Sequence, residues 1–323
     1  MRKIILIVTL IMMLIVSSPN ILAAEEITIA GGSVGGSWFP VANAIAELLN
    51  KEVGESIATA KPGGGVSNPP MVSQGTVSAG FSYSSYLVAA QRGEDPYEGQ
   101  KIENISSVVE LFPMYLQIIG DASLPYDTLG EYIENQYPIK MCPTKPGHGD
   151  FWVTEKVFSI IGIDFKDIES WGGKIELGGG GEMTSFYKDR HIDMAFSHNV
   201  VPFSAYTDMS VSRNSKLIGV DQDIIDKLNE KYGMKEGIIP AGTYKGTDVD
   251  IKSAGMPAVL FIHNDISEDI VYSLTKAICE NAQTLSSLSK DFERFDPSSA
   301  CKDLGIDLHP GAKKYYQEMG YLD

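Results

Sequence analysis

Twice along this 323-residue chain the hydrophobic pattern reads strand, helix, strand, helix, strand, and that repetition limits the fold more than any single motif does. The first unit runs through "EITIA" (26–30), "PVANAIAELLNKE" (40–52), "SIATAK" (56–61), "SNPPMVSQ" (67–74) and "SAGFSYS" (78–84). In its first helical stretch Val41, Ile45, Leu48 and Leu49 recur at helical spacing, opposite Asn43, Glu47 and Asn50. The second unit runs through "YPIKMCP" (137–143), "FWVTEKVFSIIGI" (151–163), "KIELGGGG" (174–181), "GEMTSFYKDRH" (181–191) and "IDMAFSH" (192–198). Strands separated by helices form parallel sheets through crossovers, so two such units imply an α/β chain of two lobes.

The connections between the units set the domain order. "SSVVELFPMYLQIIG" (106–120) is a long strand-like run broken once, at Pro113, and "SAGMPAVLFIH" (253–263) is another, broken at Pro257. Each is long enough to begin in one lobe and end in the other. Two crossover strands make one lobe discontinuous, residues 25–114 with 254–323, and insert the other, residues 115–253, between its halves. After the second crossover, "SEDIVYSLTKAICENAQTLSSL" (267–288) reads as one helix with Ser267 as N-cap and Glu268 and Asp269 in the first turn, packing back on the first lobe.

Residues 1–24 stand apart. Arg2 and Lys3 precede an apolar run from Ile4 to Val16, thirteen residues, followed by "SSPNILAA". A basic start, an apolar core of this length and a small-residue end describe a secretory signal peptide cut near Ala23 or Ala24. A membrane anchor needs about 17–25 apolar residues. With no cysteine near the cut, lipid anchoring is not expected, and the mature protein should be soluble, exported and monomeric. Net charge is −16, and removal of the first 24 residues, with two cations and no anion, lowers it to −18. So acidic a chain, with no local Lys/Arg cluster, repels nucleic-acid backbones. Cys142, Cys279 and Cys301 are too few for a disulfide framework, leaving at most one bridge, of which Cys279–Cys301 is one option.

Chemistry is concentrated in loops that follow the strands. In a parallel sheet these loops open the next helix and gather along one sheet edge. The loop "GGSVGGSWFP" (31–40) lacks glycine at i, i+2 and i+5, the dinucleotide fingerprint, and has Ser37 and Trp38 where a phosphate loop needs Lys and Ser/Thr. Two readings stand: a tight turn, or a small-ligand nest in which Ser33, Val34, Gly35, Gly36 and Ser37 supply backbone and hydroxyl donors and Trp38 and Phe39 a wall. Similar loops are "KPGGGVS" (61–67), with Gly64; "SYSSY" (82–86), with Tyr83, Ser84 and Ser85; "TKPGHGDFW" (144–152), with His148, Gly149, Asp150 and Phe151; and "SHNVVP", with His198 and Asn199, ending at Pro202. From both lobes they would converge on one cleft of neutral donors and aromatics. Each candidate keeps a structural alternative: Asp150 as the N-cap of a helix starting near Phe151, His148 as a solvent-facing loop residue, Trp38 and Phe39 as core. Trp152 and Trp171 read as packing, and the glycines at 178–181 as a flexible strand end.

Enzymatic constellations do not assemble. The five histidines, at 148, 191, 198, 263 and 309, contain no pair at helix-face metal spacing, and His191 with Asp193 is a weak metal pair at most. No nucleophile elbow is present, "DVDIKSAG" lacks the order of a calcium loop, and no cofactor is expected.

Taken in order, "ITIAGGSVGGSWFPVANAIAELLN", "AKPGGGVSNPPMVSQGTVSAGFSYSS", "IKMCPTKPGHGDFWVTEKVFSIIGI", "IIPAGTYKGTD", "AVLFIHNDISEDIVYSLTKAI" and "LHPGAKKYYQEMG" resemble the solute-binding proteins of TRAP transporters, TAXI family, from about Ile27 to Gly320. The resemblance implies a type II periplasmic-binding-protein fold: two α/β lobes joined by two crossover strands, closing on a small solute and delivering it to membrane permease subunits. It implies a periplasmic receptor rather than an enzyme, with import driven by an ion gradient. Members often take glutamate, glutamine or related organic acids. Matched to the family pattern, Ser33 to Ser37 are the opening turn, Trp38 and Phe39 replace its Tyr-Tyr, Tyr83–Ser84–Ser85 replaces Gln-Ser-Asp, and Gly147–His148–Gly149–Asp150 replaces Gly-Ser-Gly-Thr. A carboxylate in place of threonine repels an acid unless His148 is protonated or the solute carries a cation, so an amine- or aromatic-bearing solute stands beside the organic acids. An exported sensor presenting its ligand to a membrane kinase is the alternative role.

Overall fold

The computed structural model describes residues 26–32, 38–146, 149–288 and 290–323. The signal-peptide reading of residues 1–24 lies outside them. Twelve strands are described: β1 (Ile27–Ala30), β2 (Ala58–Lys61), β3 (Ala79–Tyr83), β4 (Ile105–Phe112), β5 (Tyr115–Asp121), β6 (Lys140–Cys142), β7 (Lys174–Ile175), β8 (Met194–Asn199), β9 (Ser215–Leu217), β10 (Lys235–Ile239), β11 (Ile251–Gly255) and β12 (Ala258–His263). They form two sheets. The first has five strands in the order β2-β1-β3-β12-β4; the second has seven, β10-β11-β5-β8-β6-β7, with β9 also paired to β5. The pairs β1–β2, β1–β3, β6–β7 and β6–β8 are parallel, whereas β12 and β5, which follow the crossovers, pair antiparallel to their neighbours. The sequence pattern had this origin: buried parallel strands each followed by a helix, then two long runs that change sheet.

Both sheet changes happen at proline. β4 ends at Phe112 in the first sheet and β5 starts at Tyr115 in the second, across Pro113 and Met114; β11 ends at Gly255 in the second and β12 starts at Ala258 in the first, across Met256 and Pro257. Proline removes a ladder donor, so each run can leave one sheet without breaking another hydrogen bond. The two links lie side by side: Phe112 registers with Ala258, Tyr115 with Gly255, and the Met256 N–H donates to the Met114 carbonyl over 3.1 Å. A Cβ at Gly255 would press on the Met114 carbonyl and sit 2.7 Å from Tyr115 Cδ1, so only glycine lets the links approach this closely.

Apolar faces cover the first sheet from both ends of the chain. Val41, Ile45 and Leu49 of helix Trp38–Val53 and Val271, Leu274 and Ile278 of helix Glu268–Glu280 pack with Ile27, Ile29, Phe81 and Leu260. Helix Pro310–Glu318 adds Tyr315 and Tyr316, whose hydroxyl donates to the Val108 carbonyl over 3.1 Å.

Three local readings are corrected. The run 174–181 is strand only at Lys174–Ile175; Gly179 caps and Gly180 opens helix Gly180–Lys188, because the Glu182 carboxylate accepts the Gly179 N–H over 2.8 Å. The stretch 267–288 is two helices, Glu268–Glu280 and Ala282–Leu288, parted at Asn281. All three cysteines are buried free thiols, so Cys279 and Cys301 are not bridged, and burial pushes the Cys279 thiol up to about 12.

Candidate functional site

The first-sheet wall is organised by a buried asparagine. Asn68 is fully buried at the start of helix Asn68–Ser73, and its Nδ2 donates to the carbonyls of Ala30, Gly31 and Phe81 at 2.8–3.0 Å while its Oδ1 accepts from the Gly64 N–H at 2.9 Å. One side chain therefore ties the carboxyl ends of β1 and β3 to the glycine loop after β2. Buried carbonyls left without donors would each be destabilising, so this arrangement fixes where the loops leave the sheet. At that edge Tyr83 ends β3, and Ser84 and Ser85 begin helix Ser84–Arg92. Trp38 stands edge-on to Tyr83, ring centroids 5.1 Å apart, and packs behind it on Phe81 and Phe112.

The second-sheet wall comes from β6 and β8. Helix Gly149–Ile161 follows β6, so Asp150 lies within its first turn and not at an N-cap ahead of Phe151. Its Oδ2 accepts from Ser197 Oγ at 2.6 Å and from Asn199 Nδ2 at 3.4 Å. Ser197 and Asn199 are two apart on β8 and so share a face, while His198 points the other way, under the crossovers. The Met256 N–H donates to His198 Nε2 at 3.3 Å, which requires an unprotonated Nε2. Burial lowers the His198 pKa to about 3 against a weaker opposing effect of the Met114 carbonyl, so the ring is neutral at physiological pH. Buried Gln117 donates to the Asn199 and Val200 carbonyls at 3.0 and 2.9 Å and accepts from the Tyr244 hydroxyl, which holds the strand end in place.

The walls meet ring against ring. Tyr83 stands 5.4 Å from His198 and 5.4 Å from Tyr86, and Tyr86 stands 4.9 Å from Trp152, all edge-on. A Cβ at Gly149 would lie 2.8 Å from Tyr83 Cε2 and 3.4 Å from the Tyr86 hydroxyl, so glycine lets the helix end reach the tyrosines. Burial first, then the Asp150 charge, raises the Tyr83 pKa far above that of an ordinary phenol; Tyr86 is raised the same way by burial, by Tyr83 and Tyr97, and by Asp150 and Asp95. Both phenols stay protonated and can donate. The hydroxyls of Ser84, Ser85, Tyr86 and Thr144 are buried and find no hydrogen-bond partner among the described residues. Such groups suit a polar ligand, because a buried hydroxyl without a partner is destabilising.

Of the residues singled out in the sequence, Trp38, Tyr83, Gly149, Asp150, His198 and Asn199 are brought together. Gly64 bonds to Asn68, and a Cβ on its neighbour Gly65 would lie 3.5 Å from the Tyr83 ring and 3.7 Å from that of Trp38. Ser85 also lines a side cavity of about 230 Å³ with Val88, Lys156 and Tyr232. Phe151 packs on Phe165, 5.5 Å away, and the Phe39 carbonyl accepts from Asn43. Ser33, Val34, Gly35, Gly36, Ser37 and His148 lie outside the described residues. Sequence reasoning missed Asn68, Tyr86 and Ser197; the alternation that exposed Asn199 also marks Ser197, two residues earlier on the same face. Among the described residues no cluster of three or more His, Cys, Asp or Glu could hold a metal, and no helix is long and apolar enough to cross a membrane.

The model of the NMT1-like family matches residues 29–320. Among solved structures, a TctC solute binding protein from Polaromonas superposes with a TM-score of 0.52 at 13% identity, covering 92% of this chain and 98% of its own. XAC2383 from Xanthomonas citri, bound to ATP, superposes with a TM-score of 0.51 at 10% identity, covering 91% and 98%. At these identities the likeness speaks to the fold, which is the two-lobed α/β fold of periplasmic binding proteins.

Proposed function

We propose, from the premise that the chain belongs to the NMT1-like family, that it is an extracytoplasmic solute receptor and not an enzyme. In this reading residues 25–114 with 254–323 form one lobe, residues 115–253 the other, and a small metabolite is held between them. One observation carries the reading: Tyr83 at the end of a first-sheet strand stands ring against ring with His198 of the second sheet, close enough to Asp150 to feel its charge, and His198 is bonded to Met256 of one of the two links between the sheets. Groups from two bodies that face each other beside a two-stranded link can separate and close as the link bends, and a ligand touching both sides favours the closed form. Neutral hydroxyls, amide groups and rings suit reversible binding.

The resemblance in the opening turn, the "PAGTY" segment (240–244) and the "HPGAKKYY" segment (309–316) supports the finer reading: a TAXI-type receptor that hands its solute to the permease subunits of a TRAP secondary transporter. In the native host, deleting this chain should abolish uptake of the solute that raises its melting temperature, and that uptake should collapse with the ion gradient while surviving ATP depletion. Intact uptake with loss of a transcriptional response to the solute would assign the chain to exported sensing instead.

A further inference from the structure

We infer a second binding site, beside the link at Pro113, for an apolar α-amino acid in its zwitterionic form. The inference goes beyond the receptor reading and does not rest on it. A cavity of about 170 Å³ is lined by three stretches: Pro113 and Tyr115 of the link, residues 200–202 after β8, and Glu293 with Arg294. Residues 200–202 are Val-Val-Pro, so with Pro113 and the Tyr115 ring they make an apolar wall. Each part is fixed from behind. The Tyr115 ring lies against Gly237 of β10 and Gly255 of β11, where a Cβ on either glycine would press on it. Gln117 holds the Asn199 and Val200 carbonyls. Buried Phe292 packs edge-on against Phe112 of β4, ring centroids 5.4 Å apart, and so anchors the short turn Lys290–Arg294 to the first sheet.

The charges beside this wall are the informative part. Glu293 and Arg294 are exposed, and among the described residues neither has a hydrogen-bond or ion-pair partner for its side chain. The Arg294 charge reaches the wall: burial raises the Tyr115 phenol, the Glu110 charge adds to that, and Arg294 pulls it back. One unpaired cation and one unpaired anion next to an apolar surface complement a molecule that carries the reverse pair on a short apolar body. Its carboxylate accepts from the guanidinium, its ammonium donates to Glu293, and its side chain covers the valines and prolines. A purely anionic or purely cationic molecule satisfies one of the two charges and is repelled by the other. Pro113 and Tyr115 belong to the link between the sheets, so an occupant touches the segment that carries any movement of one sheet against the other.

The test is calorimetric titration of the protein with valine, leucine and phenylalanine, each beside the analogue lacking the amino group and the analogue lacking the carboxylate. At least one amino acid should bind saturably, and both its analogues about 10-fold more weakly. Arg294→Gln and Glu293→Gln are surface changes that leave the wall intact. Each should weaken that amino acid about 3- to 10-fold, with the melting temperature of the free protein unchanged. In Glu293→Gln the acid analogue, relieved of repulsion, should bind at least as tightly as it does to the wild type, whereas a disturbed turn would weaken every probe and overturn the charge-reading role. An analogue that binds as tightly as its parent would overturn the zwitterion class. Amino-acid binding that both substitutions leave unchanged lies elsewhere, the cleft included, and would overturn this site while leaving the receptor reading standing. Absence of binding by all three amino acids overturns the inference outright.

Discussion

The indole N–H of Trp152 donates to Asp95 Oδ2 over 2.9 Å, and Lys156, one turn further along the same helix, pairs with the same oxygen. Asp150, Trp152 and Lys156 thus share one helix, which follows β6 of the second sheet, with Asp150 at its start and a grip along its side on Asp95, which lies between β3 and β4 of the first sheet. In the proposed receptor a solute contact at Asp150 and the contact with Asp95 would be borne by one helix, so each should strengthen the other.

Asp95→Asn should loosen that grip. Burial raises the Asp95 carboxyl, but the hydrogen bonds from Lys156 and Trp152 and the Lys156 charge outweigh it, and the net shift is downward. A lowered carboxyl stabilises the fold above its ordinary pKa and loses that contribution as pH falls through the folded value. The half-exposed pair is worth little by itself, so solute affinity should drop only about 2- to 10-fold, and the variant should lack the acid-side loss of stability below about pH 4. Calorimetry and a pH series of melting curves measure the two effects.

Asn68→Ala should cost about 2–4 kcal/mol, because three buried carbonyls lose their donor at once. Asn68→Asp should be nearly as damaging, since it keeps the acceptor for Gly64 and loses the donor. Urea denaturation gives both values, and an unchanged midpoint for either variant would show that Asn68 does not organise these loops.

Glu110 provides a pH signature. Burial, then the nearby Asp303, pushes its carboxyl up to about 7 against the opposing Lys235, which itself pairs with Asp303. A raised carboxyl stabilises most below its unfolded value and progressively less as pH rises through the folded one. Wild-type stability should therefore decline between about pH 5 and 8, by about 2–3 kcal/mol from this group, and Glu110→Gln should flatten the decline. A slope identical in the two proteins would contradict the assignment.

Gly255→Ala should separate the two crossover links. Its methyl group would push on the Met114 carbonyl and the Tyr115 ring, so a destabilisation of about 1–3 kcal/mol is expected, together with altered closure measured as the change in radius of gyration on adding solute.

The sequence made the layered plan legible because Val41, Ile45 and Leu49 keep strict helical spacing and because the two crossovers are long apolar runs interrupted only at Pro113 and Pro257. It did not reveal Asn68, whose carbonyl partners lie up to 38 residues away, and "SNPP" reads locally as a helix start and nothing more. The 178–181 glycines read locally as a strand end because the group that caps their helix, the Glu182 carboxylate, lies ahead of them in the chain. Asp150 stood out by chemistry, but that Ser197 orients it follows only from the adjacency of β6 and β8.

The most direct test of the central claim is a thermal-shift titration of the exported protein against a broad set of amines, amino acids, organic acids and nucleosides. A receptor that closes on its solute gains about 2.7 kcal/mol when free solute reaches 100 times its Kd, so at least one compound should raise Tm by several degrees, saturably and with one-to-one stoichiometry. A melting temperature that no compound in the set moves would contradict the account.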